Sequence, residues 1–410
     1  MIAKADNNPE AGAELLIEKW VYGGAGLGRL EGRVALAPFV LPGERVRIAV
    51  ERQKPSLLEA RATEWLERAP QRVEPPCPYF TRCGGCHYQH AIYEFQAAQK
   101  VEIVREVLRR VGKVEAPPAI ALRTAEPLGY RNRSQFHLRG ARIGYLAAGS
   151  HELVPVDECP ISAPAINQAL TVLKKSIKDR RWPRFVEQVE LFTNGEQTLI
   201  NVLETTGGRR VARGFFDWLG ERIPGAELGA IEYPVGPARF RVSHNSFFQV
   251  NRFLVEDLVE EVVGGETGET AVDLYAGVGL FSIPLARRFS RVTAVESSPS
   301  AVHDLQYNAA GQGLEVAAQR MQAEQYLGGL SETPSLIVAD PPRSGLGKNV
   351  VKHLLRLAPP SMVLVSCDPA TLARDLGALL ADGYTLRSMT VVDLFPQTYH
   401  VEIVARLGRS

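Results

Sequence analysis

Apolar and polar residues alternate along the first part of the chain. Residues 10–68 contain several short runs of this kind, such as "RVRIAVERQ", where Val46, Ile48 and Val50 alternate with charged or polar neighbours. A period of two predicts strands with one buried face, and the turns "GGAGLG" and "LPGE" separate them. Short strands at this spacing predict a small β-barrel over residues 10–68.

The middle of the chain has a helical pattern and little other local signal. After a proline-rich break, residues 92–111 ("IYEFQAAQKVEIVREVLRRV") place apolar side chains three and four positions apart. This spacing predicts a helix that ends at Gly112 as its cap. We expect residues 74–240 to form a mixed α+β central domain, and the predicted helix is free to pack on the domain that follows.

Strands and helices alternate in residues 241–410. The runs "TAVDLY", "RVTAVE", "SLIVAD" and "MVLVSC" predict buried strands, and each precedes a segment with helical spacing. Such alternation predicts an α/β, Rossmann-like domain with a doubly wound, mostly parallel sheet. Ligands of such sheets bind at the carboxyl ends of the strands.

Length, composition and charge set wider limits. The chain has 410 residues, of which 45% are hydrophobic and 23% charged, as in soluble globular proteins of two or three domains. We find no signal peptide and no apolar run of membrane-spanning length, so we expect a cytoplasmic location and no membrane partner. A monomer is the default expectation, because the sequence does not indicate an oligomeric state. The net charge is only +1, but residues 99–142 carry ten Lys or Arg against four Glu. This stripe is either an RNA-facing surface or an ordinary solvated face.

The five cysteines divide into a group of four and one other. Cys77, Cys83 and Cys86 lie within ten positions, and with Cys159 they reach the ligand number of a zinc or iron–sulfur site. Zinc ribbons use two C-x2-C pairs, and only Cys83 and Cys86 form one. Cys367 instead ends a predicted strand beside a helix start, where the helix terminus and nearby cations can lower a thiol pKa. It is therefore either a nucleophile or a buried structural cysteine.

A glycine turn follows the first strand of the last domain. Gly277 and Gly279 allow close approach of a ligand, and Glu296 ends the next strand 23 positions after Asp273, where an acid can bind ribose hydroxyls. A nicotinamide fingerprint would need glycine where Ser282 stands. The turn instead resembles motif I of the class I methyltransferases, which bind S-adenosylmethionine.

Five segments in order resemble the RNA uracil-5-methyltransferase family, which has ribosomal and transfer RNA members. The stretch that begins "YGGAGLGRLEGRV" also resembles the TRAM domain, an RNA-binding barrel, and the cysteine spacing resembles the family's 4Fe–4S site. The segments are "FFQVN" (247–251), "DLYAGVG" (273–279), "ADPPRSGL" (339–346), "SCDPATLARDL" (366–376) and "FPQTYHVEIVARL" (395–407).

The resemblance implies a role for each matched residue. Cys367 would be the nucleophile and Glu402 the general base. Arg343 would stabilise negative charge on the pyrimidine, unless it is a structural arginine. The S-adenosylmethionine ligands would be Gln249, Tyr275, Gly277, Gly279, Glu296 and Asp340. The iron–sulfur ligands would be Cys77, Cys83, Cys86 and Cys159.

The implied activity is methylation of C5 of a uridine in structured RNA. The Cys367 thiolate would add to C6, C5 would take the methyl group, and Glu402 would remove the C5 proton. The target base must leave its stack to reach the thiol. The barrel and the cysteine segment favour 23S rRNA. The alternatives are a tRNA uracil-5-methyltransferase, an RNA cytosine-5 methyltransferase and an inactive RNA-binding protein.

Overall fold

A computed structural model describes residues 12–115 and 117–409. Positions 10 and 11 of the predicted barrel domain and position 410 of the predicted catalytic domain lie outside the described residues. The predicted division into three domains stays a prediction. The chain forms two compact units, which we call the N-terminal unit (Met1–Ile103 with Pro396–His400) and the larger unit (Val104–Phe395 with Val401–Ser410).

One six-stranded sheet dominates the N-terminal unit. Val46 and Ile48 are fully buried in its core, as the period of two predicted. The order is β1-β5-β6-β4-β3-β2, and only β4 and β6 pair in parallel. Whether this sheet is a TRAM domain stays a prediction. The strands are β1 (Ala13–Leu16), β2 (Lys19–Trp20), β3 (Ala25–Leu30), β4 (Arg33–Pro38), β5 (Arg45–Lys54) and β6 (Leu57–Glu67).

The predicted central helix is confirmed as α1 (Tyr93–Gly112). Its end differs from the prediction, because Gly112 is the last helical residue and Lys113 takes the left-handed conformation, with φ of 56°. A Cβ on Gly112 would lie 2.7 Å from the carbonyl oxygen of Ala373. The glycine is therefore required by close packing inside the larger unit rather than by the cap.

A second antiparallel sheet occupies the middle of the larger unit, in the order β10-β9-β8-β11-β12-β13, with only β12 and β13 parallel. The pair β14 and β15 forms a separate hairpin. The elements in this part are β7 (Ile120–Arg123), β8 (Arg133–Arg139), β9 (Arg142–Leu146), β10 (Leu153–Pro155), α2 (Pro164–Ser176), β11 (Val186–Thr193), β12 (Thr198–Thr205), a 3-10 turn (Thr206–Gly208), α3 (Arg213–Gly220), β13 (Ala226–Glu227), β14 (Ala230–Val235) and β15 (Ala238–Ser243).

The alternation predicted after residue 241 is confirmed as an eight-stranded sheet. Its order is β18-β17-β16-β19-β20-β22-β21-β7, and β22 alone runs against its neighbours. The elements are α4 (Val255–Val263), β16 (Gly268–Leu274), α5 (Ser282–Leu285), β17 (Phe289–Glu296), α6 (Pro299–Gly311), β18 (Ala317–Arg320), α7 (Ala323–Gly329), β19 (Leu336–Ala339), α8 (Gly347–Leu357), β20 (Ser361–Ser366), α9 (Pro369–Ala381), β21 (Tyr384–Val392) and β22 (Glu402–Arg409).

The central strands of this sheet are buried on both faces. Val338 of β19 and Val363 of β20 are fully buried, and Leu258 of α4 packs in the same core. Strands covered on both sides are typical of parallel sheets, which explains the continuous apolar runs in the sequence. Among the described residues, no helix combines the length and the apolar character that crossing a membrane requires.

The N-terminal unit contains a buried ion pair. Glu44 has no exposed surface, and both its oxygens accept hydrogen bonds from Arg72, at 2.5 and 2.7 Å. The same carboxylate accepts from the Leu41 amide and the Trp65 indole. Removal of the guanidinium would leave a buried charge without its counter-ion, which is costly in a protein interior.

We expect Arg72→Met to lower the free energy of unfolding of the N-terminal unit by about 3–5 kcal/mol. Hydrogen exchange of β5 peptides in increasing urea measures this change locally. Arg61→Met is the matched control, because the Arg61–Glu51 pair lies on the surface, and its loss should cost at most about 1 kcal/mol. Equal effects of the two substitutions would contradict the assignment of a stabilising buried pair.

Candidate active site

The predicted reactive residues meet at one edge of the eight-stranded sheet. Parallel strands bring their carboxyl ends to the same edge, and the reversed strand β22 brings its first residue there. The glycine turn, two acids and the thiol lie at the ends of parallel strands, and a third acid starts the reversed strand. The edge residues are Tyr275 after β16, Glu296 at the end of β17, Asp340 after β19, Cys367 after β20 and Glu402 at the start of β22.

The two predicted glycines have different reasons to be glycine. Gly277 has a φ of 54°, and a Cβ built on it would meet nothing within 4 Å. Gly279 has a φ of 91°, and its Cβ would lie 3.2 Å from the Cγ atom of Leu305. The turn therefore leaves open space at Gly277, where a ligand can approach the backbone, whereas Gly279 is needed for packing.

Glu296 holds this turn against the end of β17. Its carboxylate accepts hydrogen bonds from the Gly277 amide at 3.0 Å and from the Ser298 amide at 2.7 Å. The side chain is half-buried, so part of the carboxylate surface stays accessible. An acid at the second strand end is the residue type that binds ribose hydroxyls in related sheets.

Asp273 belongs to the same edge, although it was not among the predicted site residues. It is fully buried, and its carboxylate accepts a hydrogen bond from the Ser282 hydroxyl at 2.5 Å. The pKa of Asp273 is raised to about 7, first by burial and also by the charges of Asp340 and Glu296, while the Ser282 hydrogen bond lowers it. A strand-ending acid with a serine nine positions later is the signal by which sequence could have indicated it.

Cys367 lies beside Glu402 because of the β20–β22 register. Ser366 pairs with Ile403 in the last pair of this ladder. Cys367 follows Ser366 and Glu402 precedes Ile403, so the two residues come next at the same end. Glu402 is only 4% exposed, and burial raises its pKa well above the usual range, with a further contribution from the charge of Asp340. A thiol and a carboxyl group of raised proton affinity thus share one site.

The thiol is less acidic than the sequence suggested. The pKa of Cys367 is raised to about 11, first by burial and then by the charges of Glu402 and Asp340, while the charge of Arg343 lowers it. The helix terminus contributes little because Asp368 caps α9, where its carboxylate accepts from the Ala370 and Thr371 amides. The expected activation by helix and cations is therefore outweighed by burial and by acidic neighbours.

Helix α9 also fixes the loop that contains Arg343. The Leu346 amide donates to Asp375 at 2.8 Å, and Arg374 donates to the Ser344 carbonyl at 3.0 Å. The Thr371 hydroxyl donates to the Arg343 carbonyl, while the Arg343 side chain is exposed. Arg374 and Asp375 belong to the motif "SCDPATLARDL", for which the sequence indicated no role at these two positions, and in the structure they hold this loop.

The motif "FFQVN" lies before α4. Phe248 is buried with 2% exposure and packs in the core, whereas Phe247 is 66% exposed. Gln249 is also buried, and its carbonyl accepts a hydrogen bond from Asn132 at 3.1 Å. Within the described residues, the hydrogen bonds of Gln249 do not connect it to the strand edge.

The other cysteines are partly buried thiols. Cys77, Cys83 and Cys86 belong to the N-terminal unit and Cys159 to the larger unit. Throughout residues 12–115 and 117–409, no group of three or more His, Cys, Asp or Glu side chains is arranged to hold a metal ion. The structure therefore does not show a metal centre at these cysteines, and no step of the chemistry at the strand edge is assigned to one.

Known protein sequences resemble this chain over nearly its whole length. The profile of the tRNA (uracil-5-)-methyltransferase family matches residues 236–409. An "uncharacterized RNA methyltransferase" of Aquifex aeolicus is 35% identical over 96% of this chain and 98% of its own. The 23S rRNA (uracil(1939)-C(5))-methyltransferase RlmD of Halomonas elongata is 33% identical over 96% of this chain and 89% of its own.

A solved structure has a similar fold. The tRNA (uracil-54, C5)-methyltransferase of Pyrococcus abyssi, in complex with S-adenosyl-L-homocysteine, superposes with a TM-score of 0.73. It is 26% identical and aligns with 96% of this chain and all of its own. The similarity therefore includes the eight-stranded sheet and the segments that precede it.

We expect Cys367 to react slowly with iodoacetamide near neutral pH and faster as the pH rises towards 11. With a pKa of about 11, only about one thiol in a thousand is ionised at pH 8, against roughly one in four for an ordinary thiol. Mass spectrometry of the Cys367 peptide, with rates normalised to their own plateau, measures this profile. Arg343→Met should shift the profile to still higher pH. A plateau already at pH 8–9 would contradict the assignment.

Proposed function

The chain belongs to the RNA uracil-5-methyltransferase family, and we propose that it transfers a methyl group from S-adenosylmethionine to C5 of a uridine in structured RNA. The observation that carries this proposal is the placement of Cys367 beside Glu402 by the β20–β22 register. A nucleophile for C6 and a base for the C5 proton are the two protein groups that this chemistry needs.

S-adenosylmethionine would bind along the same edge. The open space at Gly277 and the accessible part of the Glu296 carboxylate fit a nucleoside with ribose hydroxyls. Gly279 shapes the turn, and Tyr275, Asp340 and Gln249 complete the proposed set by resemblance to the family. When bound, the molecule supplies an electrophilic methyl group on a sulfonium.

The first half of the reaction activates a weak nucleophile. The Cys367 thiol gives its proton to solvent and the thiolate adds to uracil C6, which moves the electron pair of the C5–C6 double bond into an enolate. C5 then forms a bond to the methyl carbon as the sulfonium–methyl bond breaks. Because the free enzyme holds Cys367 mostly as a thiol, its ionisation is coupled to binding of substrates that bring positive charge or hydrogen-bond donors.

The second half releases the product. An ionised Glu402 takes the proton from C5, the electron pair re-forms the C5–C6 double bond, and the Cys367 thiolate leaves. Burial raises the pKa of Glu402, so its carboxylate is a stronger proton acceptor than an exposed glutamate. A carboxylate with a high proton affinity is suited to a step that removes a proton from carbon.

For the substrate we propose 23S rRNA, with tRNA as the second candidate. The 33% identity to the Halomonas enzyme favours a ribosomal substrate. The similarity in fold to the Pyrococcus tRNA enzyme supports the alternative. In both cases the uracil must leave its stack to reach a half-buried thiol, which favours a loop or a flipped nucleotide.

We expect Glu402→Gln to trap a covalent protein–RNA adduct that carries the transferred methyl group. The amide cannot accept the C5 proton, so addition and methyl transfer proceed while release stops. Denaturing gels with methyl-labelled S-adenosylmethionine measure the adduct, with transcripts of 23S rRNA and of tRNA offered in parallel. The more rapidly trapped RNA is the preferred substrate.

The control for this experiment is the double variant Cys367→Ala with Glu402→Gln, which should form no adduct because it lacks the nucleophile. Adduct formation without Cys367 would remove the nucleophile assignment. Normal turnover by Glu402→Gln would remove the base assignment. Labelling of neither RNA by the wild-type enzyme, with both transcripts correctly folded, would overturn the proposed substrate class.

We also propose that Cys77, Cys83, Cys86 and Cys159 bind a 4Fe–4S cluster with a structural role. This proposal rests on the number and spacing of the thiols in the sequence. We expect anaerobically purified protein to contain about four iron atoms per chain and to absorb visible light. Cys83→Ser should lose most of this iron and Cys367→Ala should keep it. Zinc in place of iron would contradict the assignment.

A further inference from the structure

A short segment between the last two strands belongs to the other unit. Strand β21 ends at Val392 and β22 begins at Glu402, both in the larger unit. The intervening residues Pro396–His400 form part of the N-terminal unit. The chain that leads into Glu402 is thus held by contacts made within the N-terminal unit, and His400 is only two positions away.

Gln397 is held by hydrogen bonds of both its backbone and its side chain. Its amide donates to the Gln96 side chain at 3.1 Å, and its side-chain oxygen accepts from the same side chain at 3.0 Å. Its carbonyl accepts from the His87 and Tyr88 amides at 2.8 and 3.0 Å. Gln397 has a φ of 68°, a conformation that residues other than glycine rarely adopt. Four hydrogen bonds therefore maintain an unfavourable backbone conformation at this point.

The partners of Gln397 are themselves fixed. Gln96 is fully buried on α1, and its amide also donates to the Ala91 carbonyl at 2.8 Å. The Tyr399 ring packs against the His87 ring, with centroids 4.6 Å apart. A Cβ on Gly24 would lie 3.2 Å from both of these rings. The segment is thus held by side-chain amides and by ring packing in a space that only glycine at position 24 leaves open.

We propose that Gln96 and Gln397 are positioning residues that fix the entry of β22 and thereby the carboxylate of Glu402. The inference rests on the proposed role of Glu402 as the base. One residue spans at most about 3.6 Å, and only Val401 lies between His400 and Glu402, so the chain has little slack to absorb a shift of the anchored segment. A misplacement of about 1 Å at a reacting group can slow a reaction about a hundredfold. The step affected is proton removal from C5, because Cys367 is positioned separately by β20 and Asp368.

The test compares Gln96→Met and Gln397→Met with the wild-type enzyme in a single turnover. Methionine keeps the volume of glutamine and removes its hydrogen bonds. We expect methyl transfer to RNA to change by less than about twofold, while decay of the covalent adduct slows roughly 10- to 100-fold. The adduct is measured on denaturing gels after quenching at successive times.

Gln197→Met is the matched control. The Gln197 side chain also makes three hydrogen bonds, with Asn194 at 3.1 Å, with Glu227 at 3.2 Å and with the Glu232 amide at 3.3 Å. It lies in the β11–β12 turn, far in sequence from Gln397. We expect this variant to release its adduct at the wild-type rate, even where its thermal stability falls as much as that of Gln96→Met.

The outcomes separate the inference from the proposed function. Trapping by Glu402→Gln together with wild-type release by Gln397→Met overturns the inference and leaves the base assignment intact. Absence of trapping by Glu402→Gln overturns the base assignment itself. Gln397→Met loses only one side-chain hydrogen bond, so it decides the matter where Gln96→Met does not fold. If adduct decay slowed equally in Gln197→Met, the slowing would reflect a general loss of stability, and the inference would be overturned.

Discussion

The antiparallel pairing of β20 with β22 is the constraint on which the candidate site depends. Every other neighbouring pair from β18 to β20 is parallel, so those strands bring only their carboxyl ends to the site edge. A parallel β22 would bring its last residue to that edge and carry Glu402 to the opposite one. Because the strand is reversed, residues 35 positions apart in sequence, Cys367 and Glu402, become neighbours.

The second determinant of the site is its negative charge. Asp273, Asp340 and Glu402 all have a raised pKa, and each owes it first to burial. These acids therefore hold a proton more firmly than exposed carboxyl groups do. A ligand with a sulfonium and an ammonium group would favour the ionised carboxylates and the thiolate together. Under the proposed function, binding of the positively charged methyl donor therefore favours ionisation of Cys367 and Glu402.

Sequence predicted the parts of this structure that depend on local pattern. The apolar runs of the parallel strands and the helical spacing of α1 were sufficient for the fold class, and the resemblance to a family indicated Cys367 and Glu402. Pairing partners were not predictable in this way: β7 joins the sheet edge although its residues precede β21 by more than 260 positions. The requirement for glycine at position 112 was not predictable either, because it comes from a contact with Ala373, which is distant in sequence. The high pKa of Cys367 depends on burial and on two acids, Glu402 and Asp340, which no single local motif contains together with the thiol.

The proposed nucleophile and the proposed base are held in different ways. Cys367 lies between Ser366 and Asp368, whose mutual hydrogen bonds and helix-capping contacts are all within five residues of the thiol. Glu402 is held on one side by β22 and on the other by a segment whose main contact, Gln96 with Gln397, joins residues 301 positions apart. The local contacts around Cys367 do not depend on distant parts of the chain, whereas the contact between Gln96 and Gln397 requires that the N-terminal unit is folded. Under the proposed function, the addition step would depend on the sheet alone, whereas the release step would depend on the sheet and on the folded N-terminal unit.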